Sequence, residues 1–366
     1  MTPLADRLPD FPWDRLAPYA QTARSHPDGV VDLSVGTPVD PVPAVVQEAL
    51  ARAADWPGYP TNWGTPALRD AVVRWASRTL GAEGLEHRNV LPTVGSKELV
   101  ALLPLLLGLG PQDTVVIPEI AYPTYDVGAR ISGSRIVATD STVALGPERV
   151  ALVWLNSPSN PTGRVLGLEH LQKVLEWARS RGAVVVSDEC YFELPWEAQP
   201  VSVLDPRVNG GSLEGVLAVH SLSKRSNLAG YREGFVLGDG DLVSALLEAR
   251  KHMGLMVPGP VQEASIAALD DDAHVAEQRA RYGERRVRLR RALERAGFTI
   301  DHSEAGLYLW STRGEPCWDT VAWLAERGIL VAPGEFYGVG GAQHVRVALT
   351  ATDERIDAAV ERLSAG

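Results

Sequence analysis

Lys224 lies in a segment whose residue types suit the binding of an anion. Two serines precede it, Arg232 follows it, and the whole segment 221–234 comes after an apolar run at 216–220. Open α/β sheets place ligands at the carboxyl ends of their strands. A lysine alone in this position is usually a solvated surface charge. With these neighbours, however, it predicts an anion pocket in which a lysine of lowered pKa forms a Schiff base.

Asp188 follows a second apolar run, at 183–187, and Tyr191 comes three residues later. A carboxylate at the end of a buried strand is costly unless it has a partner. The pattern therefore predicts one of two roles for Asp188: a cap of the following turn, or a carboxylate that pairs with a buried cationic heterocycle. In the second case Tyr191 would reach the same ligand.

Two weaker segments also follow predicted strands. Residues 156–163, Asn-Ser-Pro-Ser-Asn-Pro-Thr-Gly, are typical of a turn, and they place Asn160 at the same edge as Asp188. Gly95 and Ser96 stand between a predicted strand and a predicted helix. Free backbone N–H groups at a helix start bind phosphate, aided by the helix dipole. The four segments together bring a lysine, an aspartate, a tyrosine, an asparagine, an arginine and a phosphate cradle to one edge.

The elements that would position these residues alternate between strands and helices. Buried parallel strands are covered on both faces, so they appear as near-continuous apolar runs. Strand-like runs of this kind occur at 90–94, 114–118, 150–156, 183–187 and 216–220. Helices are predicted at 43–54, 65–79 and 168–180. This alternation predicts an α/β domain with a mostly parallel central sheet flanked by helices.

The chain after about residue 255 has a different character, which begins with a Pro-Gly-Pro break at 258–260. Helices are predicted at 272–296 and 318–327 and from 353 onward, and strands at 306–311 and 344–349. This order predicts a smaller α+β domain. The first 40 residues are predicted to be irregular apart from a strand at 30–35, and to pack with that smaller domain.

Composition and charge restrict the classes of protein further. The chain has 366 residues, 45% of them hydrophobic, and a net charge of −11. These values exclude a disordered chain and argue against general binding of nucleic acid or anionic membranes. Cys190 and Cys317 predict free thiols in a reducing cytoplasm. The most apolar run, 99–109, contains Pro104 and is too short to cross a bilayer.

Several common kinds of site have no motif in the sequence. It has no HExxH and no cysteine or histidine pair at ligand spacing, so no metal site is expected. The GxSxG and GxxxxGK[ST] motifs are absent as well. Glycines at 108–110 and 338–341 lack GxGxxG spacing, which leaves a nicotinamide enzyme as a weak alternative. Lysine-dependent chemistry has four candidates, of which Lys97, Lys173 and Lys251 lie in helical patterns and Lys224 does not.

The set of groups on this sheet edge matches what pyridoxal 5'-phosphate requires, and the sequence resembles the fold-type I aminotransferases of class I/II. Segments that match in the family's order are 32–38, Tyr59 with Gly64 and 68–69, 95–96, 122–125, 160–163, 188–191, 221–224 with Arg232, and 345–349. The resemblance covers most of the chain and implies an aspartate aminotransferase-like fold. It implies an N-terminal segment at 1–40, a large cofactor-binding domain at 41–255 and a small C-terminal domain at 256–366.

The resemblance also implies a role for each residue that would touch the cofactor ring. Lys224 would hold the cofactor and move a proton at the substrate α-carbon. Asp188 would keep the pyridine nitrogen protonated. Tyr191 and Asn160 would donate hydrogen bonds to the phenolic oxygen of the ring, and Tyr122 would stack on its face.

The phosphate and the substrate have implied ligands of their own. The phosphate would be held by Gly95, Ser96, Lys97, Ser221, Ser223 and Arg232, and by Tyr59 of the neighbouring subunit in a homodimer. Arg346 would grip the substrate α-carboxylate, with Gly36 and Asn160 beside it. Amino acids and 2-oxo acids are the implied substrates.

A narrower resemblance concerns the substrate. Residues 223–232 resemble the lysine loop of N-succinyldiaminopimelate aminotransferases, and 8–14 and 31–43 resemble the actinobacterial branch of that group. This implies amino transfer between glutamate and N-succinyl-2-amino-6-ketopimelate in lysine biosynthesis. Glu233 departs from the pattern, since small or apolar residues are usual after the arginine, and we expect it to point away from Arg232.

Other functions share the same fold and motifs. These are another class I/II aminotransferase acting on aspartate, alanine or aromatic amino acids, and a carbon–sulfur β-lyase. A ligand-binding regulator without turnover is an alternative from a different class, although no additional DNA-binding segment or basic patch is visible.

Overall fold

The structure, a computed structural model, describes residues 3–146 and 149–364, which contain a seven-stranded, a four-stranded and a two-stranded sheet. Its strands are β1 (Val31–Asp32), β2 (Val90–Thr93), β3 (Thr114–Ile117), β4 (Arg135–Ala138), β5 (Val150–Asn156), β6 (Val184–Asp188), β7 (Val216–Ser221), β8 (Gly234–Gly238), β9 (Thr299–Asp301), β10 (Tyr308–Thr312), β11 (Ile329–Leu330), β12 (Ala332–Pro333) and β13 (Val345–Ala348). Its helices are α1 (Ala17–Arg24), α2 (Ala44–Arg52), α3 (Pro66–Leu80), α4 (Ser96–Leu106), α5 (Thr124–Ser132), α6 (Leu168–Ser180), α7 (Pro206–Asn209), α8 (Leu222–Arg225), α9 (Gly240–Met253), α10 (Gly259–Asp270), α11 (Ala273–Arg295), α12 (Cys317–Glu326) and α13 (Asp353–Ser364).

The central sheet has the strand order β2-β8-β7-β6-β5-β3-β4. Its pairs from β4 to β7 are parallel, and β8 is antiparallel to both of its neighbours. The register aligns Asn156 with Asp188 and Asp188 with Val219. The carboxyl ends of β5, β6 and β7 therefore meet at one edge, and the predicted mostly parallel sheet is confirmed.

Helices cover both faces of the central sheet. One face is packed by α3, α6 and α10, with Trp75 and Leu171 in its core. The other face is packed by α4, α5 and α9, with Leu103 and Leu246 in its core. Because each parallel strand is buried on both sides, its sequence is apolar at nearly every position.

The second sheet is antiparallel and has the order β12-β13-β10-β9. Helices α11, α12 and α13 share its core, and α1 from the start of the chain joins them. Strand β1 pairs with β11 in parallel, with Val31 opposite Ile329. The N-terminal segment therefore packs against elements from the end of the chain.

Three elements differ from the prediction for a physical reason. The strand predicted at 30–35 is wrong beyond Val31–Asp32, because only these residues have a pairing partner. The irregular structure predicted for the first 40 residues is also wrong at α1, a short helix that buries only Ala20 and Ala23. Strand β4, where no strand was predicted, lies at the sheet edge and has no buried residue, and its apolar run is only three residues long.

Candidate active site

A cleft of about 1110 Å³ opens at the carboxyl ends of β5, β6 and β7, beside the second sheet. Most residues predicted for the site line it: Gly36, Ser96, Lys97, Tyr122, Asn160, Asp188, Tyr191, Ser221, Ser223, Lys224, Arg232 and Arg346. Two predicted residues, Gly95 and Tyr59, are not in its lining, and they differ in their distance from the cleft residues. Gly95 lies directly beneath Arg232, whereas Tyr59 is 97% exposed on the surface of this chain.

Lys224 lies on α8, one turn beyond the end of β7. Its Nζ donates to the carbonyl of Gly36, which belongs to the N-terminal segment. Burial lowers the pKa of the Lys224 ammonium, and the nearby Arg346 lowers it further. The neutral amine is the nucleophilic form, so this setting favours covalent attachment of a carbonyl compound.

Asp188 is the last residue of β6 and is buried. Its Oδ2 accepts from the Tyr125 hydroxyl at 2.8 Å, and its Oδ1 accepts from the Cys190 backbone N–H at 3.2 Å. Burial raises the pKa of Asp188, while these hydrogen bonds act in the opposite direction. Both donors are neutral, so a negative charge on this carboxylate would be stabilised by a buried cation such as a pyridinium.

The anion-binding end of the cleft combines hydroxyls, backbone amides and a guanidinium. Ser221 Oγ lies 2.9 Å from Ser223 Oγ, and helix α4 begins at Ser96 without a side-chain cap on its N–H groups. A Cβ at Gly95 would come within 2.3 Å of Arg232 Nη2, so only glycine lets Arg232 lie over this helix start. This donor set fits a phosphate.

Arg346 lies on β13 and is buried at the opposite end of the cleft. Its Nη1 donates to Asn160 Oδ1 at 2.8 Å and its Nη2 to the Ser34 carbonyl at 2.6 Å. Its Nε has no hydrogen-bond partner within residues 3–146 and 149–364. A guanidinium fixed in this way can bind a carboxylate of the substrate by donating hydrogen bonds to it.

Some cleft residues were not predicted from the sequence. Tyr308 lies on β10, and its hydroxyl is 3.0 Å from that of Tyr191. Arg15 lines the cleft, and its Nη2 is 3.3 Å from Glu335 Oε2. Neither residue stands out in the sequence. Tyr308 resembles the core residues of its strand, and Arg15 is one of many arginines. The pairing of β10 with β13 is what brings Tyr308 to Arg346.

Glu233 is fully buried directly after Arg232. Neither of its carboxylate oxygens has a hydrogen-bond partner in the described part of the chain, and burial raises its pKa well above the usual range. The side chain is thus neither solvated nor paired with Arg232. An unpartnered buried carboxyl favours its protonated form.

The family model for aminotransferases of class I and II matches residues 28–363 of this chain. The chain belongs to this family. The class I/II aminotransferases use pyridoxal 5'-phosphate and act on amino acids and 2-oxo acids, and the fold is that of aspartate aminotransferase. The cleft residues described above are compatible with that cofactor at its ring, its phosphate and its carbonyl carbon.

Two curated aminotransferases resemble this one over nearly its whole length. A probable aminotransferase of Mycobacterium tuberculosis is 64% identical over 98% of this chain and 85% of its own. The 4-dedimethylamino-4-oxo-anhydrotetracycline transaminase of Streptomyces rimosus is 59% identical over 98% of this chain and 99% of its own.

A solved structure supports the same family. The probable N-succinyldiaminopimelate aminotransferase of Thermus thermophilus superposes with a TM-score of 0.85 at 30% identity, over 96% of this chain and 98% of its own. Within the described residues of the aminotransferase, no helix has both the length and the apolar character needed to span a membrane.

Proposed function

We propose that this aminotransferase exchanges an amino group between glutamate and N-succinyl-2-amino-6-ketopimelate, as an N-succinyl-LL-2,6-diaminopimelate:2-oxoglutarate aminotransferase of lysine biosynthesis. The observation that carries the proposal is a guanidinium in the cleft, that of Arg15, besides those assigned to the phosphate and to the α-carboxylate. Arg346 lies deep in the cleft, while Arg15 belongs to the N-terminal segment that forms its outer wall. A substrate with carboxylates at both ends would pair with both arginines. The name of the Thermus thermophilus relative agrees with this choice.

The protein groups around the cofactor would divide the chemistry among them. The cofactor, when bound, supplies a carbonyl carbon that carries the amino group and a ring that accepts electrons. Lys224 Nζ would take the proton from the substrate α-carbon and return it, because burial lowers the pKa of its ammonium and so favours the basic amine. Asp188 would hold a proton on the pyridine nitrogen through a charge-assisted hydrogen bond.

The remaining residues would position ring, phosphate and substrate. Tyr191 and Asn160 would donate to the phenolic oxygen, and Tyr122 would cover one ring face. The phosphate would be bound at the other end of the cleft by hydroxyls, backbone amides and a guanidinium. These groups belong to Gly95, Ser96, Lys97, Ser221, Ser223 and Arg232. Arg346 would bind the α-carboxylate beside Gly36 and Asn160, which fixes the α-carbon relative to the ring.

We also propose a homodimer with shared sites. Tyr59 is exposed in the single chain, which suits a residue that completes a partner's phosphate site. A division at residues 1–40, 41–255 and 256–366 agrees with a central sheet within 90–238 and a second sheet within 299–348. The unpaired Cys190 and Cys317 suit the reducing cytoplasm.

A comparison of kcat/KM tests the substrate. We expect the kcat/KM for N-succinyl-LL-diaminopimelate with 2-oxoglutarate to be higher than the kcat/KM for aspartate, alanine, phenylalanine or cystathionine. Arg15→Gln should lower kcat/KM for the succinylated substrate about tenfold, or about 1.4 kcal/mol, and leave alanine unchanged. If kcat/KM for any of the other four substrates is ten times that for the succinylated substrate, the substrate assignment is wrong. Turnover of cystathionine with release of a thiol would indicate a β-lyase.

A second candidate substrate is a bulky cyclic ketone. Aromatic rings form part of the cleft wall, with the Trp13 centroid 5.8 Å from that of Phe11 and 5.2 Å from that of Phe336. The name of the Streptomyces rimosus relative points to a polycyclic ketone for that protein. The two candidate substrates are distinguished by measuring amination of a fused-ring ketone with glutamate alongside amino transfer with N-succinyl-LL-diaminopimelate. A higher kcat/KM for the ring ketone would favour this second function.

A further inference from the structure

Tyr308 is a buried phenol in the cleft wall that the motif residues do not include. Its hydroxyl lies 3.0 Å from the hydroxyl of Tyr191, and their rings meet edge to face with centroids 5.6 Å apart. Each phenol carries one proton and can donate only one hydrogen bond. The direction of donation between the two hydroxyls therefore decides where the Tyr191 proton points.

The position of Tyr308 is fixed from two sides. The guanidinium of Arg346 lies over its ring, 4.0 Å from the centroid. A Cβ at Gly36 would lie 2.2 Å from the Tyr308 hydroxyl, so the absence of a side chain there makes room for that hydroxyl. The same Gly36 accepts from Lys224 through its carbonyl. Tyr308 thus stands where the amine, the α-carboxylate site and Tyr191 meet.

Charges around the two phenols differ. Burial raises the pKa of Tyr191. Burial acts in the same sense on Tyr308, but the Arg346 and Lys224 cations, together with the hydrogen bond to Tyr191, outweigh it and lower the pKa of Tyr308. Titratable groups facing Tyr308 are Tyr191 and Cys190 beyond β6, Lys224 on α8, Tyr282 on α11, Arg346 on β13, and Tyr122 and Tyr337. If Tyr191 donates its one proton to the cofactor, its oxygen can still accept, so the 3.0 Å contact between the two hydroxyls is satisfied by donation from Tyr308 to Tyr191.

We propose that Tyr308 is a positioning residue whose hydroxyl donates to the Tyr191 oxygen and so directs the Tyr191 proton at the phenolic oxygen of the cofactor. The inference rests on the proposed role of Tyr191. A phenol that accepts a hydrogen bond becomes a better donor, because consecutive hydrogen bonds polarise one another. Tyr308 therefore strengthens the hydrogen bond at the phenolic oxygen without touching the ring.

The absorbance of the holoenzyme tests this role, because its pH dependence would not change if Tyr308 only supported the fold. The visible band of the bound cofactor titrates with the nitrogen that joins it to Lys224. A weaker donor leaves more negative charge on the phenolic oxygen, and that charge favours the protonated nitrogen. Loss of the Tyr308 hydroxyl should therefore raise the pH midpoint of the band.

The experiment titrates the absorbance of purified holoenzyme for wild type and for five variants. Tyr308→Phe and Tyr308→Leu both remove the hydroxyl, and each should raise the midpoint by roughly half a pH unit. Tyr191→Phe should raise it further, and Tyr191→Phe/Tyr308→Phe should match Tyr191→Phe alone. Tyr337→Phe is the matched control, because the buried Tyr337 hydroxyl has no hydrogen-bond partner among the described residues, and its midpoint should not move.

A second measurement separates the hydroxyl from the ring. Tyr308→Phe keeps a ring under Arg346 and should leave the KM for the amino donor near the wild-type value, whereas Tyr308→Leu should raise it several-fold. Thermal unfolding identifies any variant that fails to fold.

Two outcomes would overturn the inference. If Tyr191→Phe shifts the midpoint and both Tyr308 variants leave it unchanged, Tyr308 has no such role, while the proposed function stands. If none of the tyrosine variants shifts it, the proposed role of Tyr191 fails as well.

Discussion

At the scale of single residues, burial shifts the pKa values of Lys224 and Asp188 in opposite directions. Burial lowers the pKa of the Lys224 amine and raises the pKa of the Asp188 carboxyl, so it favours the neutral form of each. A neutral amine is ready to react, whereas a carboxylate in this place needs a cation to hold its charge. Their side chains follow neighbouring strands, so the cleft holds a nucleophile and a charge stabiliser side by side.

Lys224→Ala should abolish activity. Loss of the amine removes both the covalent anchor and the proton carrier, so kcat should fall by at least about 10⁴-fold. Borohydride reduction of the holoenzyme followed by peptide mapping should place the added mass on Lys224. Lys173→Ala, on the exposed face of α6, is the matched control and should keep wild-type kcat. A label on any other lysine would show that the assignment is wrong.

Asp188→Asn should separate cofactor binding from catalysis. The amide keeps a side chain of the same shape but cannot stabilise a protonated pyridine nitrogen. We expect a yellow protein with near-normal cofactor content and a kcat lower by about 10³-fold or more, which corresponds to about 4 kcal/mol, or about three pKa units of lost stabilisation. Single-turnover absorbance with the amino donor measures this step. A rate near wild type would contradict the role.

The sequence identified the cleft residues that stand in turn and glycine patterns after apolar strands. Asn160 and Lys224 are examples, because Pro, Gly and Ser around them mark the end of a strand. Tyr308 and Arg15 could not be found in this way. Tyr308 sits inside a strand like any core aromatic, and only the register of β10 against β13 brings it to Arg346.

At the scale of elements, the start of α4 depends on a glycine. Gly95 has φ +72° and supports Arg232, and Gly108 has the same φ with nothing within 4 Å of its would-be Cβ. Gly95→Ala and Gly108→Ala therefore share the backbone strain and differ in the clash. We expect Gly95→Ala to weaken cofactor binding at least about tenfold by displacing Arg232, and Gly108→Ala to leave it unchanged. Equilibrium dialysis measures both, and equal affinities would contradict the phosphate role.

The connection into β8 contains a destabilising group, Glu233. Folding raises the pKa of its carboxyl above the ordinary value of 4.5, so its contribution to stability is greatest below that pH and declines as pH rises toward the raised value. Glu233→Met should therefore stabilise the protein by about 1–3 kcal/mol, more at pH 8 than at pH 5. Glu233→Gln cannot ionise, so its stability should lack this pH dependence. Chemical denaturation at both pH values measures the difference, and an equal gain at both would contradict burial of an ionisable group.

Parallel strands were the elements best predicted from the sequence. Burial on both faces makes β5 and β7 apolar up to their carboxyl ends, and their bounds agree with the prediction within one residue. Edge strand β4 has an apolar run of only three residues and no buried residue, and helix α1 buries only two alanines, so neither was predicted. Strand β1 depends on a partner almost 300 residues away, and no local pattern indicates such a pairing.

At the scale of the whole molecule, subunit exchange tests whether sites are shared. In a mixture of Tyr59→Phe and Lys224→Ala subunits, each heterodimer has one site with both changes and one with neither. We expect Tyr59→Phe alone to weaken cofactor binding about tenfold, and the mixture to recover wild-type affinity in half of the heterodimer's sites. Lys224→Ala exchanged with wild type serves as the control. No recovery, or a monomer by sedimentation at working concentration, would contradict sharing.

The pairing of β1 with β11 has a consequence for how the molecule is made on the ribosome. The central sheet is complete once residue 238 has emerged, and we expect it to form while synthesis continues. Residues 31–32 must wait for 329–330, so Gly36 and its contact with the Lys224 amine are set only after nearly the whole chain has emerged. A nascent chain therefore exposes a formed sheet with an unfinished cleft, and the reactive lysine acquires its surroundings among the last steps of folding.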